Sequence, residues 1–313
     1  MRPKDREIAQ ELESRLLHFS RERRPLVGIA DPEARQPLIE QFLESIHRVS
    51  YPKLISSRDI NIGRADPGSE LFDPLKAAIL KQREGNKDEA FWLVFLFVHF
   101  GKHSRGGYRY AREIYGRLGQ GGLWDWATVS ANPSEFRTWL GENVSKLTRA
   151  GAPGGFGNHR KYESLDAFSN AGTGAAVESY VRWVSPPRTH EELVNEALRL
   201  TSGDRRKTFD YLFHSMEAVR RFGRTAKFDY LAMLGKLGLA PIEPGSTYMH
   251  GATGPVEGAR LLFAGEKGAP LQQRVLDQWL VELADELGVG MQVMEDALCN
   301  WQKSPRKFKS FRG

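Results

Sequence analysis

The chain has 313 residues, of which 40% are hydrophobic, and 45 Lys and Arg against 39 Asp and Glu give a formal net charge of +6. This length suits one domain of two lobes, about 1–150 and 151–313, with apolar residues enough for a sizeable core. The lone cysteine, Cys299, excludes an internal disulfide and a zinc or iron–sulfur centre held by cysteines.

Helical periodicity runs through most of the chain and decides the fold class. Apolar residues three and four apart predict helices at 8–19, 37–49, from 73 onward, and at 86–99, 109–117, 133–140, 190–200, 207–222, 227–237, 255–263, 272–287 and 290–301. Asp73-Pro74 is a typical helix start, since Asp caps the first turn and Pro fits it. No segment alternates with period two, so we predict an all-α protein.

The longest apolar stretch, 91–100, is about ten residues and is too short to span a bilayer. The N-terminus is charged and lacks the apolar core of a signal peptide. We therefore expect a cytoplasmic protein that is not bound to a membrane. We also expect no cofactor, no metal and no obligate protein partner.

Basic residues are clustered rather than spread, at 21–24, 204–207, 220–224 and in the tail from Lys303. Clustered cations suit a polyanion, because each neutralised phosphate releases condensed counterions. Many proteins carry such runs as solvated faces, so charge alone leaves nucleic-acid binding and a plain surface equally open.

Two glycine-rich loops interrupt the helices, at 150–157 and at 240–254. Loops of this composition turn sharply or approach a ligand closely. The second loop ends in a turn, 250–255, after which Gly258 follows Gly254 by one helical turn. Such a turn leaves backbone N–H groups available to a DNA phosphate, and small residues one turn apart allow close helix packing.

This turn is followed, about twenty residues later, by Asp277, and ten residues after Asp277 comes Leu287-Gly288. The order resembles the helix-hairpin-helix DNA glycosylase superfamily, in which a Gly-x-Gly hairpin precedes an aspartate on a helix that ends in Leu-Gly. The resemblance implies a two-lobed helical glycosylase-like fold. The turn here holds one extra residue between Gly251 and Gly254, and the loop leading into it is long.

Over its whole length the chain looks closer to one branch of that superfamily, the alpha-glutamyl/putrescinyl thymine pyrophosphorylase-like proteins. The resemblance is carried by four stretches, 91–103, 156–162, 222–230 and 298–303. It implies an enzyme that handles double-stranded DNA with bulky groups on its pyrimidines.

Three functions are compatible with this resemblance. The first is a glycosylase that flips a hypermodified pyrimidine out of the duplex and excises it, as a defence against phage DNA. The second is a transferase that displaces pyrophosphate from an activated 5-methyl group on the pyrimidine and installs an amine. The third is a binder of modified DNA without catalysis. We take the glycosylase as the leading hypothesis.

Asp277 is the main candidate for the chemical step, because a carboxylate can stabilise the oxocarbenium-like sugar or activate water. An Asp near a helix start is also a common N-cap, and only the superfamily spacing favours the catalytic role. Asp229, which lies among cations, could be a salt-bridge partner or a pocket residue. Asp296 is a third catalytic candidate, for which we favour a structural role.

The resemblance and the local composition also suggest residues that contact DNA or the everted base. The candidates for binding DNA are Gly251, Thr253, Gly254, Asn158, His159, Arg160, Lys161, Arg224, Lys227 and Lys303. The candidates for the base pocket are Tyr162, His103, Arg109 and Tyr230. Pro255 and Val256 stand where strand-cleaving glycosylases have a lysine, so we expect a monofunctional enzyme that leaves an abasic site.

Overall fold

The structure is a computed structural model that describes residues 3–310. Within this range the chain forms α1 (Pro3–Glu22), α2 (Pro32–Ser56), α3 (Pro74–Arg83), α4 (Lys87–Phe100), α5 (Arg109–Tyr115), α6 (Trp126–Ala131), α7 (Pro133–Leu147), α8 (Thr173–Val184), α9 (His190–Leu200), α10 (Arg205–Ser215), α11 (Arg224–Leu237), α12 (Gly254–Ala264), α13 (Gln273–Leu287) and α14 (Met291–Trp301). The described residues contain no strand beyond an isolated bridge between His103 and Gly107. The predicted all-α fold is confirmed.

The helix starts follow from local capping. Asp73 caps α3 by accepting hydrogen bonds from the amides of Leu75 and Lys76 at 3.1 and 3.2 Å, with Pro74 in the first turn. Asn86 caps α4 in the same way. Thr189 and Glu192 form a reciprocal capping box at the start of α9. These polar side chains satisfy backbone N–H groups that a helix leaves without partners.

The chain divides into two compact units. In the described residues, unit 1 comprises 3–52 and 244–310, and unit 2 comprises 53–243. Unit 1 is therefore assembled from the two ends of the sequence, whereas unit 2 is one continuous segment. The predicted boundary between lobes, near residue 150, lies inside unit 2.

Unit 1 has its core between α1, α2, α12, α13 and α14. Fully buried side chains include Leu16 and Phe19 of α1, Phe42 of α2, and Leu276 and Leu280 of α13. Two glycines of α12 allow close approach to α14, because a Cβ on Gly258 would overlap the Leu298 carbonyl and one on Gly254 would lie 2.9 Å from the Cys299 sulfur. The predicted role of small residues one turn apart on α12 thus has α14 as its packing partner.

Unit 2 is built around α4, which is apolar on nearly every face and buried along most of its length. Trp92 and Phe95 of this helix pack with Tyr180 of α8 and Phe222 in an aromatic cluster. A helix that is apolar on nearly all sides is typical of a buried core element. Aromatic rings at centroid distances of 4.2–6.0 Å contribute both buried area and ring-to-ring attraction.

Two helices were not predicted, and one prediction was too long. The short α6 and the helix α8 lie in stretches that had no helical prediction. The helix predicted at 207–222 ends at Ser215, continues as a 3-10 turn at Met216–Ala218 and then breaks, with Arg221 at a φ of 63°. The helix-hairpin-helix element around the turn at 250–254 stays a prediction. The helix before the turn, α11, belongs to unit 2, and the helix after it, α12, belongs to unit 1.

Among residues 3–310, no helix has both the length and the apolar character that crossing a bilayer requires.

Candidate active site

Asp277 lies in the second turn of α13, as the fifth residue of the helix, and it does not cap that helix. Its carboxylate accepts two hydrogen bonds from the preceding loop. The Thr247 hydroxyl donates to Oδ1 at 2.6 Å, and the Met249 backbone amide donates to Oδ2 at 3.0 Å. Both donors belong to unit 1, so the loop and the helix fix the carboxylate within one unit.

The loop reaches Asp277 through an unusual backbone conformation. Tyr248, between the two donor residues, has a φ of 50°, in the left-handed region that side chains other than glycine disfavour. This conformation turns the chain so that the hydroxyl of one neighbour and the amide of the other face the same carboxylate. Strain of this kind, about 1 kcal/mol, persists only where surrounding contacts determine the backbone, and it is common at functional sites.

The carboxylate is half-buried and opens onto a shallow depression of about 360 Å³ on the surface of unit 1. The depression is lined by Ser246, His250, Gln273, Arg274, Asp277, Gln278 and Val281. It combines one carboxylate with a guanidinium, an imidazole and two amides. Such a set can accept a proton at one point while binding a charged group at another.

Sequence reasoning found Asp277 but missed the residues around it. Thr247 and His250 lie in the long loop at 240–254, and its unusual length was the one signal that could have indicated them. Arg274, one turn before Asp277 on the exposed side of α13, gave no signal at all.

The predicted phosphate-binding turn is also in unit 1. Gly251 has a φ of 76°, and Thr253 precedes α12 without capping it through its side chain. The amide of Ala252 is already bonded to the Met249 carbonyl at 2.9 Å. Gly254 packs against α14, where an added Cβ would lie 2.9 Å from the Cys299 sulfur.

Two further predicted residues of unit 1 have internal partners. Asp296 of α14 forms an ion pair with Arg48 at 2.7 Å and accepts a hydrogen bond from Ser45 at 2.7 Å. These contacts tie α14 to α2. Lys303 is exposed and donates to Asn300 at 3.1 Å.

The other predicted residues lie in unit 2, and several of them are buried. Arg160 is only 8% exposed, donates to the Val98 carbonyl at 2.9 Å and pairs with Asp229 at 3.4 Å. Burial lowers the pKa of Arg160, while the charge of Asp229 acts in the opposite direction. Asp229 thus forms a salt bridge with Arg160, while its side chain stays 43% exposed, so its role as a pocket residue stays a prediction.

Lys227, Arg109 and Tyr230 are likewise inside unit 2. The Lys227 ammonium lies 4.2 Å from the centroid of a phenylalanine ring, and Arg109 forms an ion pair with Glu113 at 2.7 Å. The Tyr230 hydroxyl is fully buried and bonds that of Tyr180 at 2.7 Å. All three side chains are buried and packed within the unit, and their predicted contacts with DNA or a base stay predictions.

The remaining predicted residues of unit 2 reach its surface. Asn158, His159 and Lys161 are exposed, and Tyr162 is 81% exposed. Arg224 is partly exposed and lies over a phenylalanine ring of its own helix. His103 is also partly exposed, and its Nδ1 accepts a hydrogen bond from the amide of Gly106 at 3.0 Å.

The glycine-rich loop at 150–157 approaches the protein's own backbone. A Cβ on Gly157 would lie 2.8 Å from the Lys102 amide nitrogen, and one on Gly154 would overlap the guanidinium of Arg109. Gly157 is therefore required by packing between two loops.

Comparison with known protein families matches residues 33–313 to the family described as alpha-glutamyl/putrescinyl thymine pyrophosphorylase clade 3. No curated protein matches the chain. No solved structure matches it either. The family description names an enzyme that acts on modified thymine. Because the match covers nearly the whole sequence, the chain belongs to the alpha-glutamyl/putrescinyl thymine pyrophosphorylase family, clade 3.

Proposed function

We propose that the chain is a transferase that displaces pyrophosphate from an activated 5-methyl group of a pyrimidine in DNA and installs an amine there. The observation that carries this proposal is the family match over residues 33–313, whose description names a pyrophosphorylase of modified thymine. It reverses the order that the sequence alone favoured, in which excision of the base came first.

The reaction needs a group that accepts a proton. The amine nitrogen attacks the methylene carbon, the carbon–oxygen bond to pyrophosphate breaks, and its electron pair leaves with the pyrophosphate. The new nitrogen–carbon bond leaves the amine with one proton too many. In our proposal the Asp277 carboxylate takes that proton, held in position by the hydrogen bonds from Thr247 and Met249.

The leaving group also needs stabilisation, because pyrophosphate departs as a polyanion. Arg274 and His250 line the same depression as Asp277. A guanidinium binds phosphate oxygens through two parallel hydrogen bonds, which makes Arg274 the candidate for this contact. We assign His250 a supporting role as a second donor.

Hydrolytic excision of the modified base is the second candidate, and a specific observation favours it. Asp277 is fixed next to a glycine-containing turn that begins a helix, at the spacing of the glycosylase superfamily. There the carboxylate would stabilise a positively charged sugar or activate water. Pro255 and Val256 are buried in the first turn of α12 and carry no amine, so the expected product is an intact abasic strand.

One experiment separates these functions. The protein is incubated with genomic DNA from phages that carry different hypermodified or pyrophosphorylated pyrimidines, with and without putrescine or glutamate. Released pyrophosphate is measured enzymatically and released bases by mass spectrometry, with Asp277→Asn as the inactive control. Pyrophosphate release with amine incorporation supports the transferase, and free base supports excision.

Neither product on any substrate, together with tight binding that Asp277→Asn leaves unchanged, would instead establish a non-catalytic binder of modified DNA. Release of unmodified uracil or alkylated purines alone would overturn the substrate assignment.

A further inference from the structure

Two segments of unit 2, 101–112 and 143–162, pack against each other and form a surface that we call the basic loop pair. The Gly157 amide donates to the Phe100 carbonyl at 2.7 Å, where the first segment begins. A Cβ on Gly106 would lie 2.6 Å from the Pro153 carbonyl oxygen, so the two backbones touch directly. The segments therefore present their side chains on one continuous surface.

The basic loop pair contains no Asp or Glu, although about one residue in eight is acidic across the whole chain. Its cations Lys102, Arg105 and Lys161 are exposed. Three acidic residues near the two segments are paired with arginines, and a fourth, Glu142, is exposed directly before the second segment. Glu113 pairs with Arg109 and Arg149, Glu163 pairs with Arg221, and Asp229 pairs with Arg160. These pairs neutralise Arg109, Arg149 and Arg160 of the two segments, whereas no carboxylate in residues 3–310 forms an ion pair with Lys102, Arg105 or Lys161.

The exposed residues Lys161 and Tyr162 of this surface are held in place by hydrogen-bonded neighbours on either side of them in the chain. Arg160 is buried and bonded to the Val98 carbonyl, and Glu163 is anchored to Arg221 at 2.7 Å. Lys161 and Tyr162 lie between these two anchors and are exposed. The Lys161 ammonium lies 5.0 Å from the centroid of the Tyr162 ring. A cation and an aromatic face are thus presented together on a short, anchored turn.

We propose that the basic loop pair binds the backbone of DNA through Lys102, Arg105 and Lys161, and that Tyr162 stacks on an unpaired base beside it. The identity of the polyanion as DNA rests on the proposed function. A surface of cations without acids suits regularly spaced phosphates, and an aromatic ring with an adjacent lysine suits a nucleobase more than a lipid headgroup. Lys102 and Arg105 become phosphate contacts that the sequence did not indicate.

The test measures how DNA affinity depends on salt. A fluorescent, unmodified duplex of twenty base pairs is titrated with protein at several KCl concentrations, followed by anisotropy. Removing three phosphate contacts with Lys102→Ala, Arg105→Ala and Lys161→Ala should reduce the slope of log Kd against log salt by about 2.7, since each contact contributes about 0.9. Tyr162→Ala should weaken binding of single-stranded DNA about tenfold and change duplex binding little.

Two controls make the result decisive. A triple variant of exposed cations outside the basic clusters, Lys53→Ala with Arg58→Ala and Arg199→Ala, removes the same charge and should keep the slope. The charge-preserving variant Lys102→Arg, Arg105→Lys, Lys161→Arg should also keep most of it. Thermal melting of all variants checks that they fold.

A wild-type slope in the triple alanine variant, or a control that loses as much, overturns the inference. Loss of the slope in a protein that forms no product on any DNA retains the surface and rejects the proposed reaction. If the wild-type protein forms product but the triple alanine variant keeps the wild-type slope, the proposed reaction is retained and the DNA-binding surface is rejected.

Discussion

Replacement of Asp277 tests whether the loop and the helix hold this carboxylate for chemistry. In Asp277→Asn the amide oxygen can still accept from the Met249 amide, and the amide nitrogen can donate to Thr247, because a hydroxyl can reverse its role. Two hydrogen bonds to a charged group become neutral ones, which costs about 1 kcal/mol at this half-buried position. The fold should survive with its geometry intact.

Asp277→Ala removes both acceptors. The buried Thr247 hydroxyl and Met249 amide each lose their hydrogen bond to this carboxylate, at about 1–3 kcal/mol each. We expect the alanine variant to lose about 3 kcal/mol in total, two to three times the loss of the asparagine variant. The difference between the two variants therefore measures the two hydrogen bonds rather than the packing of the side chain.

The assay pairs urea unfolding with product formation. Asp277→Asn should lower the rate at least a hundredfold, the usual contribution of a positioned base, while lowering stability by about 1 kcal/mol. Glu282→Gln, on the same helix and in an exposed pair with Arg24, is the matched control and should leave both unchanged. Equal stability of the two Asp277 variants, or a fully active asparagine variant, would refute the reasoning.

Three further changes test the packing of the two units. Burial raises the pKa of Glu89 from about 4.5 to about 7. The free energy of unfolding should therefore fall as pH rises through that interval. Glu89→Gln should remove about 3 kcal/mol of this dependence in melts from pH 4 to 8. Tyr180→Phe leaves two buried partners unpaired and should cost about 2–4 kcal/mol, against about 1 kcal/mol for Tyr230→Phe, in urea titrations of both. Gly258→Ala should cost about 1–3 kcal/mol by overpacking α12 on α14, whereas Gly268→Ala, which meets no atom within 4 Å, should be neutral on thermal melting.

Helix positions could be predicted where the determining signal is local. Asp73-Pro74 marks the start of α3, and the segment at 190–200 was predicted with the bounds that α9 has. The start of α8 could not be predicted, because two glycines close together, Gly172 and Gly174, are typical of a loop rather than a helix. They are glycines because a Cβ at either would overlap the carbonyl of Asp166 or Ala167. A contact between segments, rather than helix propensity, selects the residue there.

The candidate site divides in the same way. Spacing along the chain was enough to single out Asp277, but its two hydrogen-bond donors come from residues 28 and 30 positions earlier. Only the folded loop brings them together. The buried Arg160 shows the opposite failure, since a basic residue in a polar stretch was expected at the surface. Composition describes which charges are available, and burial decides which of them face solvent.

The construction of unit 1 from both ends of the chain affects its synthesis. When α1 and α2 leave the ribosome, their partners α12 to α14 are still about 190 residues away. At 5–20 residues per second the nascent helices wait about 10–40 s before their apolar sides can be covered. Unit 2, being continuous, can fold during this interval. Early in translation the apolar sides of the first two helices are therefore available for binding by a chaperone. A chain released before residue 244 is synthesised would keep these apolar sides exposed.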